Sequence, residues 1–352
     1  MKTFAVLALL FGLTVHADAL DSLAVKNFSV GGFVDAYYAY DVAKPPSRDR
    51  SFTTQPLRHN EFNLNLALVD LKYVSDKTHG RVALKTGTYV QSNYAAEPGL
   101  LQNIHEASAG FSPSGSWWLD AGIFASHIGC ESAISRDNYN YSRSLMAEYS
   151  PYYEAGVRLS GPVSPKATLG LLVLNGWQNI RETNGDKAVG TQLQIKPSDA
   201  VLVNWSTFIG NEAPDSAATQ TRIFNDFYVQ ARLARGVEAY FMFDVGFQKR
   251  PTGGYARWVS PALVMRFTAS PSVKIGARVE YYADREQVIV ATGTPNGFQT
   301  FGASVNIDYA VSDNFLFRVE GRGFQSKDRV YPSSKGPRDT DGFVTMSFAL
   351  SL

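Results

Sequence analysis

The stretch V-K-I-G-A-R-V-E-Y-Y-A-D, from Val273 to Asp284, alternates between two chemical types of residue. One set of alternate positions is apolar and comprises Val273, Ile275, Ala277, Val279 and Tyr281. The other set comprises Lys274, Gly276, Arg278, Glu280 and Tyr282. A period of two predicts a β-strand with one apolar face and one charged face. The pattern recurs along nearly the whole chain, so the question is whether protein or lipid covers the apolar face.

The composition favours an all-β chain. The 352 residues are 45% hydrophobic and 13% aromatic, and they include 29 glycines. Aromatic- and glycine-rich chains with many short segments are typical of β-structure. The net charge of +1 gives no indication of a nucleic-acid partner. Cys130 is the one cysteine, so no disulfide forms within the chain, and we expect a structural free thiol.

The first residues have the features of a secretory signal peptide. Lys2 is followed by an apolar segment from Phe4 to Val15, and Ala17 and Ala19 form an A-x-A cleavage pattern. A buried N-terminal helix is the alternative interpretation. We assign residues 1–19 to the signal peptide, with cleavage after Ala17 or Ala19. Residues 20–352 form one β-barrel domain, since no linker or composition break divides them.

The remaining chain predicts a membrane-spanning barrel. It has no run of about 18 apolar residues, so no transmembrane helix is predicted, and a closed barrel is the other way to span lipid. About sixteen amphipathic segments, of about ten residues each, are joined alternately by long polar loops and short turns. This alternation is typical of an up-and-down antiparallel transmembrane β-barrel. An even strand number places both termini in the periplasm, with the barrel in the outer membrane of a Gram-negative bacterium.

Charged residues of both signs occupy one face of many strands. A barrel of about sixteen strands is wide enough to hold water, and mixed charges suit a water-filled lumen. The solvated face of a soluble β protein is the alternative. The predicted pore-lining residues are Arg81, Lys85, Asp120, Arg158, Arg222, Asp226, Arg232, Asp244, Arg266, Lys274, Arg278, Glu280, Arg318, Glu320 and Arg322.

The second segment departs from strict alternation. Phe62, Leu64, Leu66 and Leu68 share one set of positions, and the pattern breaks near Asp70. A break of this kind predicts a β-bulge near Asp70.

Several short motifs resemble a known family. They are G-F-V-D-A-Y-Y-A-Y (32–40), H-N-E-F-N-L-N-L (59–66), G-T-Y-V-Q (87–91), D-A-G-I-F (120–124), H-I-G (127–129), S-R-S-L (142–145) and S-P-Y-Y-E-A-G (150–156). Together they resemble the OmpL-like β-barrel porin family of Gram-negative bacteria, most densely before Gly190. The resemblance implies an outer-membrane barrel with a porin-like role. It supplies no substrate and no catalytic residues.

The longest connection, Ser126 to Ser150, is predicted to fold into the lumen and narrow it. Opposed basic and acidic groups there would create a transverse field that sorts solutes by charge. A solvated outer loop is the alternative. The predicted constriction residues are Glu131, Arg136, Asp137, Arg143 and Glu148.

The sequence gives little support for a catalytic site or a metal site. The histidines are scattered singly without ligand spacing, so no metal and no cofactor is predicted. A barrel lipase would need a serine beside a histidine, and the pairs adjacent in sequence are His105 with Ser108 and His127 with Ser126. Neither pair has a recognisable third group that would orient the base.

The sequence thus favours a non-enzymatic, passive diffusion channel for small hydrophilic solutes. The near-balanced lumen charge predicts weak ion selectivity. A structural or adhesive barrel with ligand-binding outer loops remains open, and a barrel lipase is the third option. The expected partners are outer-membrane lipid and small solutes, with a homotrimer as an open possibility and no nucleic acid.

Overall fold

Sixteen strands pair in chain order, and β1 also pairs with β16, so the sheet closes into an antiparallel barrel. The computed structural model describes residues 27–352, and the signal peptide predicted for residues 1–19 lies outside that range. The strands are β1 (Phe28–Asp41), β2 (Phe62–Val74), β3 (Thr78–Thr86), β4 (Ile104–Phe111), β5 (Trp118–Ala125), β6 (Tyr153–Ser164), β7 (Ala167–Leu174), β8 (Ala188–Ser198), β9 (Val201–Asn211), β10 (Thr221–Ala234), β11 (Val237–Lys249), β12 (Tyr255–Thr268), β13 (Val273–Asp284), β14 (Phe298–Ser312), β15 (Phe315–Ser326) and β16 (Thr340–Ser351). The predicted all-β barrel is confirmed.

Within residues 27–352, helical structure is confined to the connections. The α-helices are α1 (Thr88–Asn93) and α2 (Leu145–Glu148), and short 3-10 segments span Gly99–Asn103 and Ser135–Asp137. Ser144 caps α2, because its side chain accepts a hydrogen bond from the backbone N–H of Ala147. No helix among residues 27–352 is long and apolar enough to cross a membrane.

Strand β13 shows which set of alternate residues faces the interior of the barrel. Val279 is 47% exposed on the outside of the barrel, whereas Arg278 and Glu280 on either side of it are only 1% and 3% exposed. Successive strand residues point to opposite faces, so the charged face is the interior one. The apolar outer face has the character of a lipid-facing surface.

The two ends of the barrel differ. The connections at residues 75–77, 165–166, 199–200, 235–236 and 313–314 are tight turns, and both described ends of the chain lie on the same side as these turns. The connections at residues 42–61, 126–152 and 327–339 are long and lie at the opposite end. The predicted alternation of long and short connections is therefore present.

The bulge in β2 lies at Asn65, not near Asp70 as predicted. The pairing of β1 with β2 shifts register beside Asp35, which leaves Asn65 as the extra residue. Its buried amide turns inward and donates a 2.8 Å hydrogen bond to Asp35. After this bulge Leu66 and Leu68 face the interior, where they pack among buried aromatic side chains.

The interior is more aromatic near the long connections than the charge pattern predicted. Side chains from the strands meet side chains from the loops in one apolar cluster, which fills part of the lumen at that end. Its larger members are Phe124, Trp177, Phe208, Phe224, Trp258, Tyr282, Phe298, Phe324, Tyr331 and Phe343, with Phe52 and Tyr149 packed against them.

Candidate functional site

Residues 126–152 between β5 and β6, called the inner loop below, lie inside the barrel. Asn140 donates a 3.0 Å hydrogen bond to Ser304 of β14. The backbone N–H of Ser142 donates a 2.6 Å hydrogen bond to Glu320 of β15. Tyr141 and Ser142 are fully buried. The inner loop is therefore held against the interior face of β13 to β15 and is not a solvated outer loop.

A glycine of β13, Gly276, allows the inner loop to contact the barrel wall. Gly276 of β13 occupies an interior position beside Arg278, where the backbone of the inner loop passes directly over it. A Cβ atom at Gly276 would overlap the carbonyl oxygen of Tyr139. A residue without a side chain is thus needed for the loop to reach the wall.

A buried ion-pair network joins the inner loop to the barrel. The Arg278 guanidinium lies 3.1 Å from Glu320, 3.3 Å from Glu280 and 3.7 Å from Glu131 of the inner loop. Arg322 pairs with Glu280 at 2.6 Å and donates a 2.7 Å hydrogen bond to the carbonyl oxygen of Arg143. Because these charges are removed from water, each depends on its partners for stabilisation.

The network extends toward the turn end of the barrel. Arg318 pairs with Asp308 at 2.7 Å and donates hydrogen bonds to the carbonyl oxygens of Ser135 and Asn138. Arg318 is fully buried. We call six interior charges of β13 to β15 the anchor wall: they are Arg278, Glu280, Asp308, Arg318, Glu320 and Arg322.

Several of the charged residues predicted for the inner loop make contacts that hold the loop inside the barrel. Glu148 pairs with Arg143 at 3.0 Å. Arg136 donates hydrogen bonds to Ser351 and to the carbonyl oxygen of Asp313, near the turn end of the barrel.

Two acidic groups of the inner loop differ in exposure: the Glu131 side chain is 4% exposed, whereas Asp137 is an exposed residue that is only partly enclosed. Burial raises the pKa of Glu131, and the nearby Arg278 guanidinium and hydrogen bonds from Ser144 oppose that rise. Burial likewise raises the pKa of Asp137, against the effect of a hydrogen bond from Ser132.

The connection at residues 42–61 covers the inner loop from the long-loop end. The backbone N–H of Thr54 donates a 2.9 Å hydrogen bond to Glu148, and its hydroxyl donates a second of 2.6 Å. Gln55 is fully buried beside it. Two connections of the chain therefore occupy the lumen together.

Another part of the lumen, beside β2 to β4, remains open. A cavity of about 560 Å³ separates the inner loop from β2 to β4. Arg81 there pairs with Asp70 at 2.9 Å and with Glu106, and Lys72 pairs with Asp70 at 3.1 Å. The Lys72 side chain is 45% exposed and that of Arg81 23%. We call Asp70, Lys72, Arg81 and Glu106 the water-exposed wall.

Each predicted pore-lining residue occupies an interior strand position, but most do not meet water. Those that are partly or well exposed are Arg81, Arg158, Arg232, Arg266 and Lys274. Those that are buried are Lys85, Asp120, Arg222, Asp226, Asp244, Arg278, Glu280, Arg318, Glu320 and Arg322. For the buried set the expectation of a water-lining position is wrong, because the loops inside the barrel cover most of them and the strand residues His79 and Arg158 enclose Asp120.

The expected transverse field stays a prediction: Glu131 and Asp137 of the inner loop line the cavity together with Arg81 of β3. The charges of the anchor wall pair with one another and with the inner loop, and they do not oppose the loop across an opening. Sequence reasoning missed Asp70, Lys72 and Glu106, which do face the cavity side. The bulge at Asn65 hid the first two, since it reverses the faces of the strand that follows.

The two serine–histidine pairs lack catalytic geometry. Both ring nitrogens of His127 are engaged, one with Glu154 at 2.9 Å and the other with the carbonyl oxygen of Thr207 at 2.8 Å. Ser126 donates to Glu154 and not to His127. Ser108 donates to Glu106, while Nδ1 of His105 has no partner within residues 27–352.

Metal-binding geometry is not found in the described part of the chain. Residues 27–352 contain no group of three or more His, Cys, Asp or Glu side chains placed to hold a metal ion. The acidic side chains of the lumen instead pair with arginine and lysine.

A family model described as "Putative beta-barrel porin-2, OmpL-like" matches residues 27–352, which is the whole described barrel. The chain belongs to this porin family. It is an outer-membrane β-barrel porin, and the family resemblance of its sequence motifs is confirmed. No curated protein sequence matches this porin.

Solved structures share the fold of this porin at low sequence identity. An anion-selective porin from Comamonas acidovorans is 10% identical with a TM-score of 0.62, covering 92% of this chain and 99% of that one. The outer-membrane channel DcaP of Acinetobacter baumannii is 11% identical with a TM-score of 0.62, covering 92% and 97%. OprB of Pseudomonas putida is 9% identical with a TM-score of 0.61, covering 95% and 96%.

Proposed function

We propose that this porin is a passive channel whose solute path runs between the inner loop and the water-exposed wall. The observation that carries this proposal is the cavity of about 560 Å³ on that side of the lumen. The anchor wall offers no comparable space, because the inner loop contacts it directly. A path along one side of the barrel follows from this asymmetry.

The lining of the path favours small hydrophilic solutes. Its strand side presents Asp70, Lys72 and Arg81, so both signs of charge are available to a polar solute. Its loop side presents Ser132 and Ile134 together with the acidic residues Glu131 and Asp137. A wall with charges of both signs orients a solute dipole without binding one ion strongly.

The placement of the inner loop makes it the constriction of the proposed path. Its contacts with β13 to β15 fix one side, and the open side sets the width. Glu131 and Arg143 act in this proposal as structural anchors of the constriction, since both are buried in ion pairs.

The orientation and assembly of this porin are part of the proposal. Both described ends of the chain lie with the short turns, a pattern that in bacterial barrels belongs to the periplasmic side. We therefore place the termini in the periplasm and the long connections outside. A homotrimer is compatible with the broad apolar outer surface of the barrel.

Single-channel recording in a planar lipid bilayer tests the proposal. The purified protein should give stepwise currents, and deletion of Ile134 to Arg143 should enlarge each step because it removes the loop from the lumen. A panel of sugars and small peptides, added as blockers, would then identify the solute class. A protein without current steps, or a deletion with unchanged conductance and selectivity, would contradict it.

A further inference from the structure

Lys85 of β3 is a buried amine with no carboxylate paired to it among residues 27–352. The residue is 3% exposed, and its Nζ atom has no hydrogen-bond partner among residues 27–352. It lies 3.0 Å above the ring centroid of Tyr94 and 5.4 Å from that of Tyr89. Cation–π contacts offset only part of the cost of removing an ammonium group from water.

Arg143 of the inner loop brings a second unused donor to the same aromatic group. Its guanidinium lies 4.7 Å from the ring centroid of Tyr89 and 3.9 Å from that of Tyr152. Glu148 accepts from Nε and Nη2, but the buried Nη1 has no partner in the described chain. Two basic groups thus approach the Tyr89 ring, each with a free N–H donor.

Tyr152 adds a third free group and a route to the lumen. Its buried hydroxyl has no hydrogen-bond partner within residues 27–352. The same residue lines the cavity beside the water-exposed wall. Tyr152 therefore connects the proposed solute path with Arg143, whose guanidinium lies over the Tyr152 ring.

The nearby carboxylate does not serve as the missing counter-charge. Glu97 is buried and accepts hydrogen bonds from the Tyr153 hydroxyl at 3.1 Å and from the backbone N–H of Ile180 at 2.7 Å. Tyr153 stacks on Tyr94 with ring centroids 3.9 Å apart, so the aromatic group lies between Glu97 and Lys85. Ammonium, guanidinium and hydroxyl donors without an acceptor match the chemistry of an oxyanion.

We propose that Lys85, Arg143 and Tyr152 form a binding site for a small oxyanion, either a carboxylate group or a phosphate. The site deepens the proposed channel function, on which it rests, by giving the porin a preferred class of solute. The anion would accept hydrogen bonds from Lys85 Nζ, Arg143 Nη1 and the Tyr152 hydroxyl. It would supply the charge that the buried lysine lacks.

Isothermal titration calorimetry of the folded porin in detergent tests the site, with sodium acetate and inorganic phosphate as separate probes at constant ionic strength. At least one probe should bind saturably, and the stronger one identifies the chemistry. Lys85→Met should weaken that binding by at least about tenfold, since a charged hydrogen-bond donor is lost. Lys77→Met is the matched control, because it removes an exposed lysine from the turn between β2 and β3 and should leave the affinity unchanged.

Tyr152→Phe keeps the test decisive if Lys85→Met does not fold, because it deletes only the hydroxyl. It should weaken binding by several-fold, and an unchanged affinity would overturn the proposed site. Absence of saturable binding of both anions to the wild-type porin would overturn it too, as would equal losses in Lys85→Met and Lys77→Met. Binding in detergent does not require conduction, so anion binding without bilayer currents would refute the channel and leave the site standing.

Discussion

The two sides of the lumen carry the same kind of sequence and perform different tasks. On the anchor wall, Arg278 and Glu320 are buried under the inner loop and pair at 3.1 Å. On the water-exposed wall, Arg81 and Asp70 pair at 2.9 Å with side chains that are 23% and 11% exposed. Each of these two pairs joins a basic and an acidic residue at interior strand positions. Whether such a pair stabilises the fold or contacts solute depends on whether a loop covers it, and not on the strand that carries it.

This difference changes what each charge contributes. A buried pair depends on its partner, because a single charge left in the interior is strongly destabilising. A partly exposed pair is stabilised by water and contributes little to folding. We therefore expect substitutions on the anchor wall to affect folding and those on the water-exposed wall to affect transport.

The largest effect is expected from Arg278→Ala. The change leaves Glu280, Glu320 and Glu131 without their shared cation, at a cost of about 3–5 kcal/mol. Urea-induced unfolding in lipid vesicles measures it. Lys72→Ala is the control, because it removes a side chain that is 45% exposed, and it should cost about 1 kcal/mol or less. Equal destabilisation by the two changes would erase the distinction between the walls.

The outer face of the same strand gives the next effect. Val279→Arg places a charge on the apolar surface and should destabilise by about 2–4 kcal/mol if the position lies at mid-membrane. Val311→Arg, at the turn end of β14, should cost about 0–1 kcal/mol because it lies near the interface. Unfolding in vesicles compares the two, and a reversed order would contradict the assigned position of the membrane.

Gly276→Ala tests the contact between the inner loop and β13. The added methyl overlaps the backbone of Tyr139, and overpacking of this kind costs about 1–3 kcal/mol. Gly321→Ala on β15 is the control, since no atom lies within 4 Å of a Cβ built there. The same unfolding assay applies. A Gly276 variant as stable as the Gly321 variant would show that the loop does not press on this strand.

The smallest stability change is expected from Lys72→Glu, which reverses a charge that is 45% exposed. Its cost should stay within about 1 kcal/mol. The ion selectivity should shift toward cations, as read from the reversal potential under a salt gradient. Ser304→Ala behind the inner loop is the control and should leave the reversal potential unchanged. A reversal potential that responds to neither change would place the path elsewhere.

The period of two predicted the barrel and its faces, because strand geometry forces alternate residues to opposite sides. The outward position of Val279 and the inward positions of Arg278 and Glu280 follow from it. The loop contacts did not follow. Asn140 and Ser142 of the inner loop are ordinary loop residues in the sequence, and only tertiary packing places them against Ser304 and Glu320.

Two residues, Gly276 and Asn65, mark structural features that the charge pattern alone did not predict. Gly276 interrupts the charged face of β13 at the point where the inner loop passes. Asn65 forms the bulge that turns Leu66 inward and brings Asp70 to the cavity side. A single extra residue reverses the faces of a strand, so the water-exposed wall was hidden from a strict alternation.

The accessibility of an introduced cysteine tests the central claim most directly. In a Cys130→Ser background, Lys72→Cys and Ser304→Cys place a thiol on each wall of the lumen. A charged, water-soluble methanethiosulfonate reagent should reduce the single-channel conductance of the Lys72 variant, since that side chain faces the open path. It should leave the Ser304 variant unchanged, because Ser304 is only 4% exposed and bonded to Asn140. Reaction of the Ser304 variant as fast as the Lys72 variant would contradict the attachment of the inner loop to β13 to β15.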